Sequence, residues 1–349
     1  MAGLSYRHRA DAALRSGVPR SVLDVAVAAY EASAGDLLTV WGGMVQYLAG
    51  QPAGTREALL GALPGRYRQA PPGSGLRLGL LHLAAVLGRD SATDVLAAER
   101  REAVLALDNR WAVKDHALLH LARTELATGR TLPAPVVATV RRSARLTRDP
   151  GWAALAARLT QPLLNVGERW ADAALADLAG RGAAWHALVV HAGTARAGTP
   201  TETWDRTARE LLDQAGEGEV RRTVLSWLPL VGQARPRPPA RTETAAWGAV
   251  DQQLDPFNAD FLRGLVMLLP LTGPDAETVS ELGRLVDTCT YTAPQGGGPR
   301  SARVANAAVV ALGCLGSSAA TAELRGLAGR TSYGNTRRVI DRRLLLRAP

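Results

Sequence analysis

The sequence predicts an all-α chain, and three observations carry that prediction. Apolar residues recur at helical spacing along nearly all of the 349 residues, strand-like alternation is scarce, and a chain 47% hydrophobic but only 5% aromatic must build its core from aliphatic side chains. With 21% of its residues charged, it is too apolar to stay disordered. No stretch approaches the roughly 18 apolar residues that span a bilayer, so no membrane partner is expected. Residues 1–10 carry Arg7, His8 and Arg9 with no apolar run behind them, which argues against a secretory signal and makes the cytoplasm the expected location.

Taken in order, the periodicity places helices near 19–34, 36–49, 55–63, 76–88, 92–107, 112–128, 134–147, 168–180 and 184–197. Later ones fall near 200–215, 219–232, 243–254, 259–269, 275–289, 301–316, 318–329 and 333–346. Three stretches show this best. Thr199-Pro200-Thr201-Glu202 has capping-box form with Pro at the first helical position, and Trp204, Ala208, Leu211 and Ala215 then make one stripe. Past the break at Gly216 and Gly218, Val220, Val224, Trp227, Leu228 and Val231 repeat the pattern. After Pro274, Val279, Leu282, Val286 and Cys289 share a face, with Asp275 and Glu277 in the first turn where the helix dipole favours anions.

Many short helices of this kind, broken by Pro/Gly-rich connections, are the sequence appearance of an α-solenoid, in which each unit buries its stripe against its neighbours. No strict repeat unit shows, and tetratricopeptide and ankyrin fingerprints are absent. The expected fold is therefore a degenerate HEAT-like (ARM-type) helical-repeat array. Residues 71–75, 234–241 and 292–299 are candidate boundaries, and the Arg/Pro alternation at 234–241 cannot continue a helix. The expected domains are an N-terminal array over 1–233, a linker over 234–241 and a C-terminal array with a basic end over 242–349.

The basic residues are all arginine except Lys114, and the net charge is +9. Nine arginines against Glu323 and Asp341 put +7 of that charge in residues 300–349, leaving +2 for the rest. A polyanion or an acidic protein is the natural partner of such an end. Arg141, Arg145 and Arg148 share one helix face with Arg142 beside them, while Arg338 with Arg342, and Arg343 with Arg347, pair at i and i+4. Arg300 and Arg303 follow a glycine run that precedes a helix start, an arrangement suited to an anion. These ten arginines are the candidate partner-binding or polyanion-binding residues. Against a phosphate-tracking role, Arg337 and Arg338 can both reach Asp341.

Signatures of catalysis are missing. Lys114 follows no glycine-rich loop, which excludes a Walker-type nucleotidase, and there is no GxSxG elbow. Cys289 and Cys314 lack CxxC spacing and fall at apolar positions, so both read as inert core thiols. His116 and His120 lie four apart, a spacing that can bind a metal, but with no HExxH motif they read as half-buried residues at a helix interface. Asn258 reads as a helix cap, Asp260 as a first-turn acid, Asn306 as bonded to a neighbouring turn, and the tryptophans as core anchors. No catalytic, metal-binding or cofactor-binding residue is assigned, and an enzyme is less expected than a binding protein.

Several segments resemble a known family. WHALVVH at 185–191, TPTETW at 199–204 and VLSWL at 224–228, followed by DPFNADFLRGLV at 255–266, GPRSARVANA at 298–307 and the 333–340 tail, run in the same order as similar segments in the helical region of the large bacterial MolR-like, WGR-associated proteins of uncharacterised function. The resemblance covers roughly half the chain, from about Gly182 onward. It implies a HEAT-like array and supplies no catalytic residues. Trp247-Gly248 is followed by Ala249, so the Trp-Gly-Arg segment itself is missing, and the chain resembles a stand-alone piece of that architecture.

From these readings the expected function is a non-enzymatic helical-repeat scaffold that holds a protein partner on its concave surface. The alternative is a nucleic-acid-binding or DNA-repair-type HEAT-like protein that lays its arginine rows along a phosphate backbone.

Overall fold

The computed structural model describes residues 2–33, 40–108, 110–196, 198–240, 252–273, 275–292 and 298–346. Most of the helix expected near 243–254, the Trp247-Gly248 pair, Pro274 and Arg347 lie outside the described residues. Among the described residues the chain is all-helical: it forms eighteen α-helices and no strand, with isolated bridges only between Arg110 and Ala240 and between Thr292 and Pro299.

The chain divides into two compact units, residues 1–108 with 114–136 and residues 109–113 with 137–349. The 234–241 segment, expected to separate two arrays, thus falls inside the second unit.

The first unit contains α1 (Ala2–Arg15), α2 (Pro19–Ala32), α3 (Val40–Ala49), α4 (Ala53–Gln69), α5 (Gly75–Leu87), α6 (Ala97–Leu105) and α7 (His116–Ala127). Packing stays between helices close in sequence: α1 on α2 and α3, α2 on α4 and α5, α5 on α7, and α6 on α7. Leu23, Trp41, Leu48, Leu59, Leu63, Leu80 and Leu83 are buried at its centre. The sequence reading has no counterpart of α1, whose charged Arg7-His8-Arg9 run hides the fully buried Ala10. It also stops α4 short, because a proline ordinarily ends a helix, whereas α4 continues through Pro64 for 17 residues. Left-handed Leu96, at φ 57°, delays the start of α6 to Ala97.

Two polar features sit inside this unit. Arg100 is buried and grips Asp94 with both terminal nitrogens at 2.6 and 2.8 Å, while its Nε donates to Glu125 at 2.8 Å. His82 stacks on His120 with ring centroids 4.8 Å apart, and burial pulls His82 down to about 4. His120 is lowered for the same first reason, then by Arg123.

The second unit contains α8 (Ala134–Thr147) from Val137 onward, α9 (Pro150–Ala157), α10 (Arg169–Ala179), α11 (Ala183–Ala192), α12 (Glu202–Ala215) and α13 (Glu217–Trp227). It continues with α14 (Asn258–Leu268), α15 (Ala276–Thr290), α16 (Ala302–Leu315), α17 (Ser318–Arg330) and α18 (Gly334–Leu345). Each of α15 to α18 packs on helices one or two positions away, α14 packs on α16 and on α11, and one aliphatic core runs from Leu164 to Ile340. Short polar side chains start several helices: Asp149 caps α9, Thr201 caps α12, Asp275 caps α15 and Ser317 caps α17. Thr201 is the cap of α12, so Pro200 precedes the helix and the expected capping box is displaced. The eight-residue α9 was not expected either: PGWAALAA is apolar all round and offers no period to read, yet it buries Trp152 completely.

Close approach fixes one pairing. At Gly264 on α14, an added Cβ would overlap the backbone carbonyl of Ala192 at the end of α11. Only glycine lets these two helices meet at that separation.

Candidate anion-recognition site

Of the ten candidate arginines, Arg141 and Arg142 are not surface groups, which corrects the expectation of a basic row on α8. Both are buried. Arg141 donates to the carbonyls of Pro162 at 2.7 Å and Leu159 at 2.8 Å and lies over the Phe257 ring, and burial pulls its guanidinium down to about 10. Arg142 donates to the carbonyls of Trp111 and Arg110 and to Asp255 Oδ2 at 2.9 Å. Buried charges must find such partners, and these two arginines turn their terminal nitrogens to the protein itself, although Arg141 Nε has no hydrogen-bond partner.

They belong to a polar network in the second unit. Asp255 Oδ1 accepts from the backbone N–H groups of Phe257 and Asn258 and so starts α14, in the place where Asn258 was expected to act. Asn258 is instead the first helical residue, accepting from the Asn165 N–H at 2.7 Å and donating to Glu168 Oε2 at 3.0 Å. Glu168 also accepts from Arg235, Trp170 and the Asp255 N–H. Burial pushes its carboxyl up, and Arg235 pulls it back. The cavity beside Glu168, Trp170 and Arg235 measures about 10 Å³, room for one water. This network has the geometry of a structural clasp.

The remaining arginines divide. Arg148 is exposed, with φ 57°, three residues past Arg145. Arg300 is half-buried over the Tyr291 ring at 4.9 Å. Arg338 and Arg342 are exposed on α18, Arg338 donating to Asn335 at 3.3 Å, and Arg343 donates to Thr199 at 2.7 Å. Arg337, rather than Arg338, takes Asp341.

Arg145 and Arg303, which the sequence places in separate clusters, converge on one carboxylate. Asp260 is 2% exposed; Arg145 Nη2 lies 2.9 Å from its Oδ2 and Arg303 Nη1 lies 2.6 Å from its Oδ1. Arg196 and Arg263 join them at 3.7 and 3.8 Å. Four guanidiniums therefore surround one carboxylate, an excess of three positive charges on the rigid helices α8, α14 and α16 and the turn after α11. Their exposure is graded: the Arg263 side chain is 8% exposed, while those of Arg145, Arg303 and Arg196 are 40%, 55% and 65% exposed. Arg263 keeps its buried Nε and Nη2 without a hydrogen-bond partner. Burial, and then Arg303, Arg196 and Arg145, pull its guanidinium below the usual range despite Asp260.

Sequence reading missed Arg196 and Arg263 and treated Asp260 as a helix-dipole acid. No local signal ties Arg196 to the others. The i, i+3 spacing of Asp260 and Arg263 is visible, but it marks ordinary helix pairs as well.

Other expected features sit as follows. Cys289 is buried, and burial pushes its thiol up to about 12, whereas Cys314 is exposed near the end of α16, which corrects the reading of both as core thiols. Among the described residues no group of three His, Cys, Asp or Glu side chains is placed to hold a metal. His191 stacks on Trp204 at 4.7 Å and bonds its carbonyl, and Asn306 accepts from Thr336 on α18. Among the described residues six tryptophans, including Trp41, Trp152 and Trp170, are buried. No helix among the described residues is long and apolar enough to cross a membrane. Comparison with family models, curated proteins and solved structures found no match.

Proposed function

We propose that the chain is a non-enzymatic HEAT-like scaffold that binds an acidic protein partner through the arginines gathered at Asp260. The convergence of Arg145, Arg196, Arg263 and Arg303 on Asp260 carries the reading. It concentrates positive charge at one point on a helical frame, which suits a discrete anionic group better than the evenly spaced phosphates of a nucleic acid. The packing of α15 to α18 on helices one or two positions away supports the repeat architecture, as does the resemblance of residues beyond Gly182 to the helical region of MolR-like proteins.

A second reading, nucleic-acid contact, draws on the exposed Arg338 and Arg342 of α18. Affinity capture with the full chain, washed over a salt series, separates the two. Recovery of one protein, reduced by Arg196→Gln with Arg303→Gln and untouched by nuclease, supports the scaffold. Nucleic acid that elutes steeply with salt and is lost in Arg338→Gln with Arg342→Gln overturns it.

A further inference from the structure

We propose that Arg145, Arg196, Arg263 and Arg303 form a binding site for a single phosphate dianion, with Asp260 as the internal counter-charge that holds the four guanidiniums together. The inference names the group the proposed scaffold would recognise, but its test uses a free ion and stands apart from partner capture.

Three observations lead to it. Asp260 neutralises only one of four guanidiniums held within 4 Å of it, and the mutual repulsion of the others favours an added anion. Arg263 is more than nine-tenths buried, yet its Nε and Nη2 have no hydrogen-bond partner. A buried guanidinium with idle donors is costly unless something accepts from it. The third observation is the gradation of exposure: Arg145, Arg196 and Arg303 reach solvent, so an ion can arrive at a rim of three arginines backed by a fourth. Guanidinium forks match phosphate oxygens in pairs. A phosphate monoester, carrying nearly two negative charges at neutral pH, also matches an excess of three positive charges better than a single carboxylate does.

The phosphate can come from a free ion or from a phosphorylated side chain of a protein. Calorimetric titration of the full chain at low salt with inorganic phosphate tests the site, and titration with a phosphoserine peptide and its glutamate counterpart assigns the source. One saturable site for phosphate is expected, weakened by at least about tenfold in the Arg196→Gln/Arg303→Gln variant, the loss expected for two charge-assisted contacts. Both positions are more than half exposed, so the fold should persist. Asp260→Asn, if it folds, should bind phosphate more tightly because the competing carboxylate is gone. Arg338→Gln/Arg342→Gln should bind as the parent does. A phosphoserine peptide that binds more tightly than inorganic phosphate identifies a protein-borne group; a peptide no tighter than the ion identifies a free one. No saturable binding, unchanged binding in the rim variant, or equal weakening in the α18 variant overturns the proposal.

Discussion

Arg142 Nη1 donates to Asp255 Oδ2 at 2.9 Å across 113 positions of sequence, with both side chains buried. The bond joins α8 to the residue whose carboxylate accepts the N–H groups of Phe257 and Asn258 at the start of α14. Removing one member of a buried ion pair strands the other charge, at a cost of about 3–5 kcal/mol. Arg142→Met should therefore lower the unfolding free energy of the second unit, measured by urea titration, by an amount of that order. Replacing both residues, Arg142→Met with Asp255→Leu, should cost less than the sum of the single changes. A loss below about 1 kcal/mol for Arg142→Met, on the scale of an exposed pair, would show that the network tolerates an unpaired Asp255.

That pair also marks where sequence reading reaches its limit. The bounds of α8 and α15 and the apolar face of Val279, Leu282 and Val286 are local facts of spacing, and they agree with the structure to about a residue. Helix periodicity cannot report which side of α8 is covered. Arg141, Arg145 and Arg148 share a face on paper, but Arg141 is sealed by loop carbonyls twenty residues away while Arg145 turns to Asp260. Arg196 and Arg303 are more than a hundred residues apart, and nothing in either neighbourhood announces the other. Long-range charge convergence is a property of packing.

Gly264 sits where α14 meets the end of α11, and a methyl group there would collide with the Ala192 carbonyl. Backbone cannot swing aside as a flexible side chain does. Gly264→Ala should destabilise the second unit by about 1–3 kcal/mol or more, the range for overpacked sites. Gly329→Ala on α17 has open space around it and should be neutral or slightly stabilising. Equal unfolding midpoints for the two variants would contradict the close approach.

Glu125 is fully buried and faces three arginines: Arg100 at 2.8 Å, Arg130 at 3.1 Å and Arg101 at 3.2 Å. Glu125→Gln preserves its shape but turns one acceptor into a donor among donors. A loss of about 3 kcal/mol is expected for the first unit, the lower end for breaking a buried pair. The first unit's amides should exchange faster with deuterium, and no change in their protection would refute the assignment.

Acid should weaken the first unit before it touches carboxylates. Burial first, and then the charges of His120 and His116, lower His82 from 6.5 to about 4. The unfolded chain therefore takes up a proton at this position in a pH range where the folded chain does not. Its stabilising contribution is complete above pH 6.5 and is lost as pH falls toward 4, by roughly 3 kcal/mol at most at about 1.4 kcal/mol per pH unit. Asp94 is lowered chiefly by its bond to Arg100, so its own loss comes at still lower pH. Glu168, raised by burial, acts in the opposite sense and loses its contribution as pH rises. His82→Phe isolates the histidine: urea midpoints measured between pH 7.5 and 4.5 should fall steeply for the parent and more gently for the variant, and parallel slopes would rule out His82 as the titrating group.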